Sequence, residues 1–146
     1  MSRRLDIVDA ARSWIGTPYR HQASCKGAGT DCLGLVLGVW REVVGEMPAK
    51  VPPDTADWSE VRREDRLWRA AARYLVASDD AAAPGQVLLF RMRESAVAKH
   101  LGIAGAVGDN PTVIHALSGH AVLESPLSQA WARRIVARFD FPDRRT

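Results

Sequence analysis

The apolar pattern of this chain changes period once, at Pro84-Gly85, and that change restricts what the chain can fold into. Before it, apolar residues recur three and four positions apart, the spacing that buries one face of a helix. After it they fall in short runs at 86–91, 101–107, 112–116, 121–124 and 134–141, bounded by turn residues such as GDNP at 108–111. Helices first and strands afterwards give an α+β class, with N-terminal helices packed on a central antiparallel β-sheet of about five strands. A chain of 146 residues without repeat or linker is read as one domain, 1–146.

Local signals bound the helices. Residues 5–15 place Val8, Ala11 and Ile15, with Ile7 and Trp14 beside them, on one face; Gly16 and Pro18 stop the helix. A second helix is expected from Asp31 to about Val44, with Leu35, Val36, Val39, Trp40 and Val43 as its stripe and Gly45 at its end. Pro48, Pro52 and Pro53 make 46–57 an extended loop. A third helix, about 58–77, sets Val61, Trp68, Ala72 and Leu75 against Arg62, Arg63, Arg66, Arg69 and Arg73; Glu60, Glu64 and Asp65 among them mark a solvated face rather than a polyanion footprint.

Composition excludes several functions. A net charge of +3 permits attraction to anionic polymers without requiring it, and no nucleic-acid partner is expected. The longest apolar run, Leu33 to Trp40, has eight residues and two glycines, well short of the roughly 18–20 that cross a bilayer. MSRRLDIVDAARSW carries three arginines, Arg3, Arg4 and Arg12, but no apolar core, so no secretion signal is expected. The two cysteines form no CxxC pair, and GAGTD lacks the lysine and the preceding strand of a phosphate loop. Cys25, Cys32, His21, His100, His115 and His120 have none of the spacings of a structural zinc site, so neither metal nor cofactor is expected. Cys25 reads as an incidental loop thiol.

One cysteine is placed for chemistry. Asp31 is a good N-cap, so Cys32 lies in the first helical turn, where unpaired N–H groups and the helix dipole favour a thiolate and can receive an oxyanion. Position alone also fits a small buried residue opening a core helix. His100 precedes the run LGIAGAV, and His115 shares a face with Val113 in TVIHA. A thiol nucleophile needs a general base and a polar group that holds the base in one tautomer. A tight turn at Asp109-Asn110 would put both imidazoles on one sheet face but set His115 opposite Ala104, four residues from His100 and roughly 13 Å away. Contact between them then requires a wider loop, a bulge or strong coiling.

GTPY at 16–19, TDCLGLV at 30–36, PGQVLLF at 84–90, KHLGIA at 99–104 and VIHA at 113–116 together resemble the NlpC-type cysteine peptidases, papain-like enzymes that hydrolyse the peptide stems of peptidoglycan. The resemblance implies Cys32 as nucleophile, His100 as base and His115 as its orienting partner, with Tyr19 and Asp31 on the substrate side. It implies cleavage between D-glutamate and the diamino acid of the stem. Leu33 departs from the serine that usually follows the cysteine. DCLGL and the loop VPPDTADW are most similar to the phage-type branch, encoded with tail components of phages and gene-transfer particles. That branch implies tail or baseplate partners, synthesis in the cytoplasm and action at the cell wall. The alternative is a tail adaptor that keeps the fold without turnover.

Overall fold

The computed structural model describes residues 2–45, 66–79, 81–91 and 98–142. The proline-rich loop at 46–57, the start of the expected third helix at 58–65 and the arginines within it lie outside those residues.

Helix α1 runs from Ser2 to Arg12, ending earlier than the apolar spacing suggests. The N–H groups of Trp14 and Ile15 bond three residues back, to Ala11 and Arg12, and this tighter turn ends the helix. Ile7, Val8, Ala11 and Trp14 are buried, but Ile15 is 46% exposed and leaves the core. A two-stranded hairpin, β1 (Ser24–Cys25) with β2 (Gly29–Thr30), leads into helix α2 (Cys32–Val43). The hairpin lies so close to the helix start that a Cβ at Gly34 would collide with the Ala23 carbonyl oxygen.

Helix α3 spans Arg66–Tyr74, and the chain then becomes strand β3 (Val76–Ala77) rather than continuing as helix to 77. Strands β4 (Val87–Arg91), β5 (Ala98–Ala104), β6 (Thr112–His115), β7 (Leu123–Pro126) and β8 (Ile135–Asp140) complete the main sheet, with the short helix α4 (Gln129–Ala132) before β8. The sheet order is β3-β8-β4-β5-β6-β7, and every pairing is antiparallel. Among the described residues six strands of this sheet stand where about five were expected, β3 being taken from the end of the expected helix.

Strand alternation gives the sheet two different covers. Val87, Leu89, Leu101, Ile103 and Ile114 pack with α1 and α2 in the larger core. Leu88, Phe90, Ala104 and Val113 form a smaller cluster closed by Leu127, Trp131 and Ile135. His100 and His115 fall by alternation on this second side, as their contacts with Phe90 and Trp131 confirm.

The β5–β6 register departs from the tight-turn expectation. Ile103 pairs with Ile114 and Ala104 with Val113, so continuing the ladder sets His115 opposite Gly102. The turn is wider: Gly105 N–H bonds the Thr112 carbonyl at 3.1 Å, and Thr112 Oγ1 accepts from Ala106 N–H at 2.8 Å. His115 is therefore two residues from His100 along the strands, about 7 Å, a diagonal that long side chains cross. A bulge assists. Phe90 pairs with His100 but Arg91 with Ala98, leaving Lys99 as an extra residue directly before His100.

Candidate active site

Asp31 builds the thiol side. Its Oδ1 accepts the Gly34 N–H at 2.8 Å, capping α2, and its Oδ2 accepts the Gln22 N–H at 2.6 Å. Gln22 has a left-handed backbone, φ 61°, and the buried carboxylate holds that turn beside the helix start. Both oxygens are thus engaged by backbone donors. Cys32 follows in the first turn, partly buried against the larger core together with Tyr19. Tyr19 bridges to Thr30, and its hydroxyl is pushed above its ordinary pKa by burial and then by the nearby Cys32 and Asp31 charges.

Burial holds the Cys32 thiol in its neutral form, with its pKa pushed up to about 12; the Asp31 carboxylate adds to this. The N–H groups of Leu101, Leu33 and Cys32 itself act the other way, toward the thiolate. Leu101 directly follows His100, so the helix start and the start of β5 meet at the sulfur. Among the described residues no hydrogen bond joins this thiol to either imidazole.

The imidazole side is tightly closed. His100 Nε2 and His115 Nδ1 lie 2.9 Å apart. The other nitrogen of His115, Nε2, lies 3.0 Å from Ser125 Oγ. His115 is fully buried and His100 is 6% exposed. Gly102 leaves the space for this approach: a Cβ there would stand 2.6 Å from Val113 Cγ2 and 3.4 Å from His115 Cβ. Trp131 roofs the pair, its ring centroid 5.8 Å from that of His100 and 5.2 Å from that of His115, edge-on to the latter. Phe90 stacks beside His100 at 5.6 Å. Burial lowers both imidazole pKa values, to about 3 for His100, where the His115 charge adds to the effect, and to about 4 for His115.

The structure thus brings Cys32, Tyr19 and Asp31 together at the helix start, and His100 and His115 together on the sheet, with the two groups meeting at the His100-Leu101 backbone. His21, Cys25 and His120 are exposed. Among the described residues no group of His, Cys, Asp and Glu forms a metal-binding set. No helix among them is long and apolar enough to cross a membrane. Sequence reasoning missed Ser125, Trp131 and the role of Gly102. One local signal was available for Trp131: Ser128, three residues before it, is an N-cap whose Oγ accepts the Trp131 N–H at 3.3 Å.

The fold recurs in solved structures. The NlpC/p60 domain of the peptidoglycan hydrolase SagA superposes with a TM-score of 0.61 at 21% identity, covering 94% of this chain and 98% of that one. An NlpC/P60 family protein from Bacillus cereus ATCC 10987 gives a TM-score of 0.62 at 20% identity, with 97% of this chain covered but only 39% of the other. Ly7917, solved with the hydrolyzing product of MDP, gives 0.60 at 15% identity, over 95% of this chain and 63% of that one. No curated protein matches the sequence. The NlpC/P60 family model matches residues 16–139, and this chain belongs to the NlpC/P60 family.

Proposed function

We propose that the chain is a cysteine endopeptidase of peptidoglycan stem peptides. The observation that carries this reading is the joining of a helix-start cysteine to a buried, directly bonded His100–His115 pair through the Leu101 N–H. The likeness to the domain of SagA, itself named a peptidoglycan hydrolase, supports the substrate class.

In this reading His100 takes the Cys32 proton as the sulfur attacks a stem amide carbonyl. A C–S bond forms, and N–H groups at the start of α2 stabilise the oxyanion. His100 then gives its proton to the leaving amine as the C–N bond breaks. Water next attacks the thioester while His100 accepts its proton, and that proton returns to the sulfur as the C–S bond breaks. His115 orients the base. The Tyr19 hydroxyl contacts substrate beside the sulfur, and Asp31 contributes through the loop it holds. The bond assigned is that between D-glutamate and the diamino acid, and the tail of a phage-like particle is the proposed carrier. Both finer assignments rest on the sequence blocks alone.

A non-catalytic tail adaptor is the second reading. It is favoured by the thiol's strongly raised pKa and its lack of a hydrogen bond to an imidazole. Purified sacculi incubated with wild type and Cys32→Ala separate the two. The peptidase reading expects soluble stem fragments from wild type alone, with a loss of at least about a thousandfold in the variant. Equal digestion by both proteins, or none by wild type, overturns it.

A further inference from the structure

The peptidase reading follows the polar series from Cys32 through His100 to His115, but in the structure that series continues to Ser125. Ser125 stands on β7, opposite Val113 in the ladder and diagonal to His115 on the same face. Its strand is held firmly. The neighbouring Glu124 takes Arg12 Nε at 2.9 Å and Arg12 Nη2 at 3.0 Å, and also accepts from Thr112 Oγ1 at 2.6 Å. The Ser125 hydroxyl is therefore presented to His115 Nε2 by a braced strand.

Two neutral imidazoles in contact share one N–H between them, and this leaves two arrangements of the chain. In the first, His100 Nε2–H donates to His115 Nδ1, and His115 Nε2–H donates to Ser125 Oγ. His100 Nδ1 then carries a lone pair. In the second every proton is reversed: Ser125 donates to His115 Nε2, His115 Nδ1–H donates to His100 Nε2, and His100 Nδ1 carries hydrogen. Because His100 Nε2 is occupied by His115, Nδ1 is the only nitrogen left for the thiol. The second arrangement would oppose N–H to S–H at a sulfur already faced by the Leu101 N–H, and its His100 could accept nothing. Only the first arrangement leaves a base.

Resting on the peptidase reading, we propose that Ser125 is a positioning residue. Its hydroxyl accepts the His115 Nε2 proton and so sets the tautomer of both imidazoles, turning the His100 Nδ1 lone pair to the thiol. Ser125 is only partly buried, so its own proton is free to reach solvent. After His100 takes the thiol proton, the His100–His115–Ser125 hydrogen bonds need no rearrangement.

The test uses the full chain labelled with 15N-histidine, as wild type and as Ser125→Ala, Ser125→Thr and Ser125→Val. Two-bond proton–nitrogen correlations assign the tautomers, and the rate of Cys32 alkylation by iodoacetamide is followed against pH. Wild type and Ser125→Thr are expected to hold both imidazoles as Nε2–H. Ser125→Ala and Ser125→Val should mix tautomers and lower the alkylation rate near neutrality by about tenfold, with a shifted pH profile. Threonine and valine share a shape, so a packing effect would strike both alike. A wild-type His115 protonated at Nδ1, or equal behaviour of the Thr and Val variants, overturns the proposal. Neither readout needs a substrate: untouched sacculi together with the expected tautomers would defeat the peptidase reading and leave the role of Ser125 standing.

Discussion

The two halves of the site are built by different physics. The thiol half is local. Asp31 caps the helix that begins with Cys32, and its carboxylate reaches only as far back as Gln22. The imidazole half is assembled across three strands and a short helix, from His100, Gly102, His115, Ser125 and Trp131. Both halves are held neutral by burial, but this works in opposite directions on an acid and on a base. The thiol pKa rises to about 12 while those of the imidazoles fall to about 3 and 4. The thiol and the two imidazoles are thus all uncharged near neutral pH, for one shared cause, burial.

That opposition gives the largest expected effect, on stability against pH. Between about pH 6.5 and the lowered folded values, the unfolded chain binds protons at His100 and His115 that the folded chain refuses. Stability therefore falls as pH falls through this window. Relative to a His100→Asn/His115→Asn variant, wild type should lose on the order of a few kcal/mol by about pH 4. The thiol acts at the other end: its folded pKa is raised above the ordinary 9.0, so stability is lost as pH rises past 9, and Cys32→Ala should remove that alkaline loss alone. Urea titrations of the three proteins across pH check both limbs. A wild type and double-histidine variant with parallel acid profiles would show that the pair is not held neutral.

The next effect in size tests whether the imidazole half depends on an absent side chain. Gly102→Ala places a Cβ 2.6 Å from Val113 Cγ2 in a packed cluster, an overpacking that costs about 1–3 kcal/mol. The new methyl group also stands beside His115, so the variant should part the two imidazoles and slow Cys32 alkylation. Thermal unfolding and the alkylation rate are the measurements. A variant as stable and reactive as wild type would mean the pair tolerates a side chain between its strands.

The same contrast decides what the sequence made legible. Asp31, Cys32 and Gly45 lie within one helix and its caps, and the expected helix from Asp31 is found as Cys32–Val43 with Asp31 as N-cap. The α+β class and the common face of the two histidines also follow from short-range periodicity. Their approach does not, because register depends on the size of the 105–111 turn, on Thr112 bonding within it, and on a bulge at Lys99. A shift of two residues turned an expected gap of about 13 Å into a hydrogen bond. Ser125 and Trp131 matter through distant residues as well: Ser125 meets His115 from a neighbouring strand, and Trp131 covers both imidazoles from α4, so the Ser128 N-cap marks its turn but not what it packs on. The end of the third helix was misread because Val76 and Ala77 find ladder partners in Asp140 and Phe139, far away in sequence.

The smallest effect belongs to the local half, and it separates two roles for Asp31. If the carboxylate serves the fold, Asp31→Ala frees the Gly34 and Gln22 N–H groups and costs about 1–2 kcal/mol. That corresponds to a fall in Tm of roughly 4 °C per kcal/mol for a chain of this size. Asp31→Asn should recover most of the loss, because its side-chain oxygen still caps Gly34. Activity should follow stability in both variants, since the helix start that presents Cys32 loosens only as far as its cap is lost. Should Asp31→Asn be fully stable yet lack turnover, the charge itself would be acting on substrate, and the thiol half would prove to be more than a helix terminus well capped.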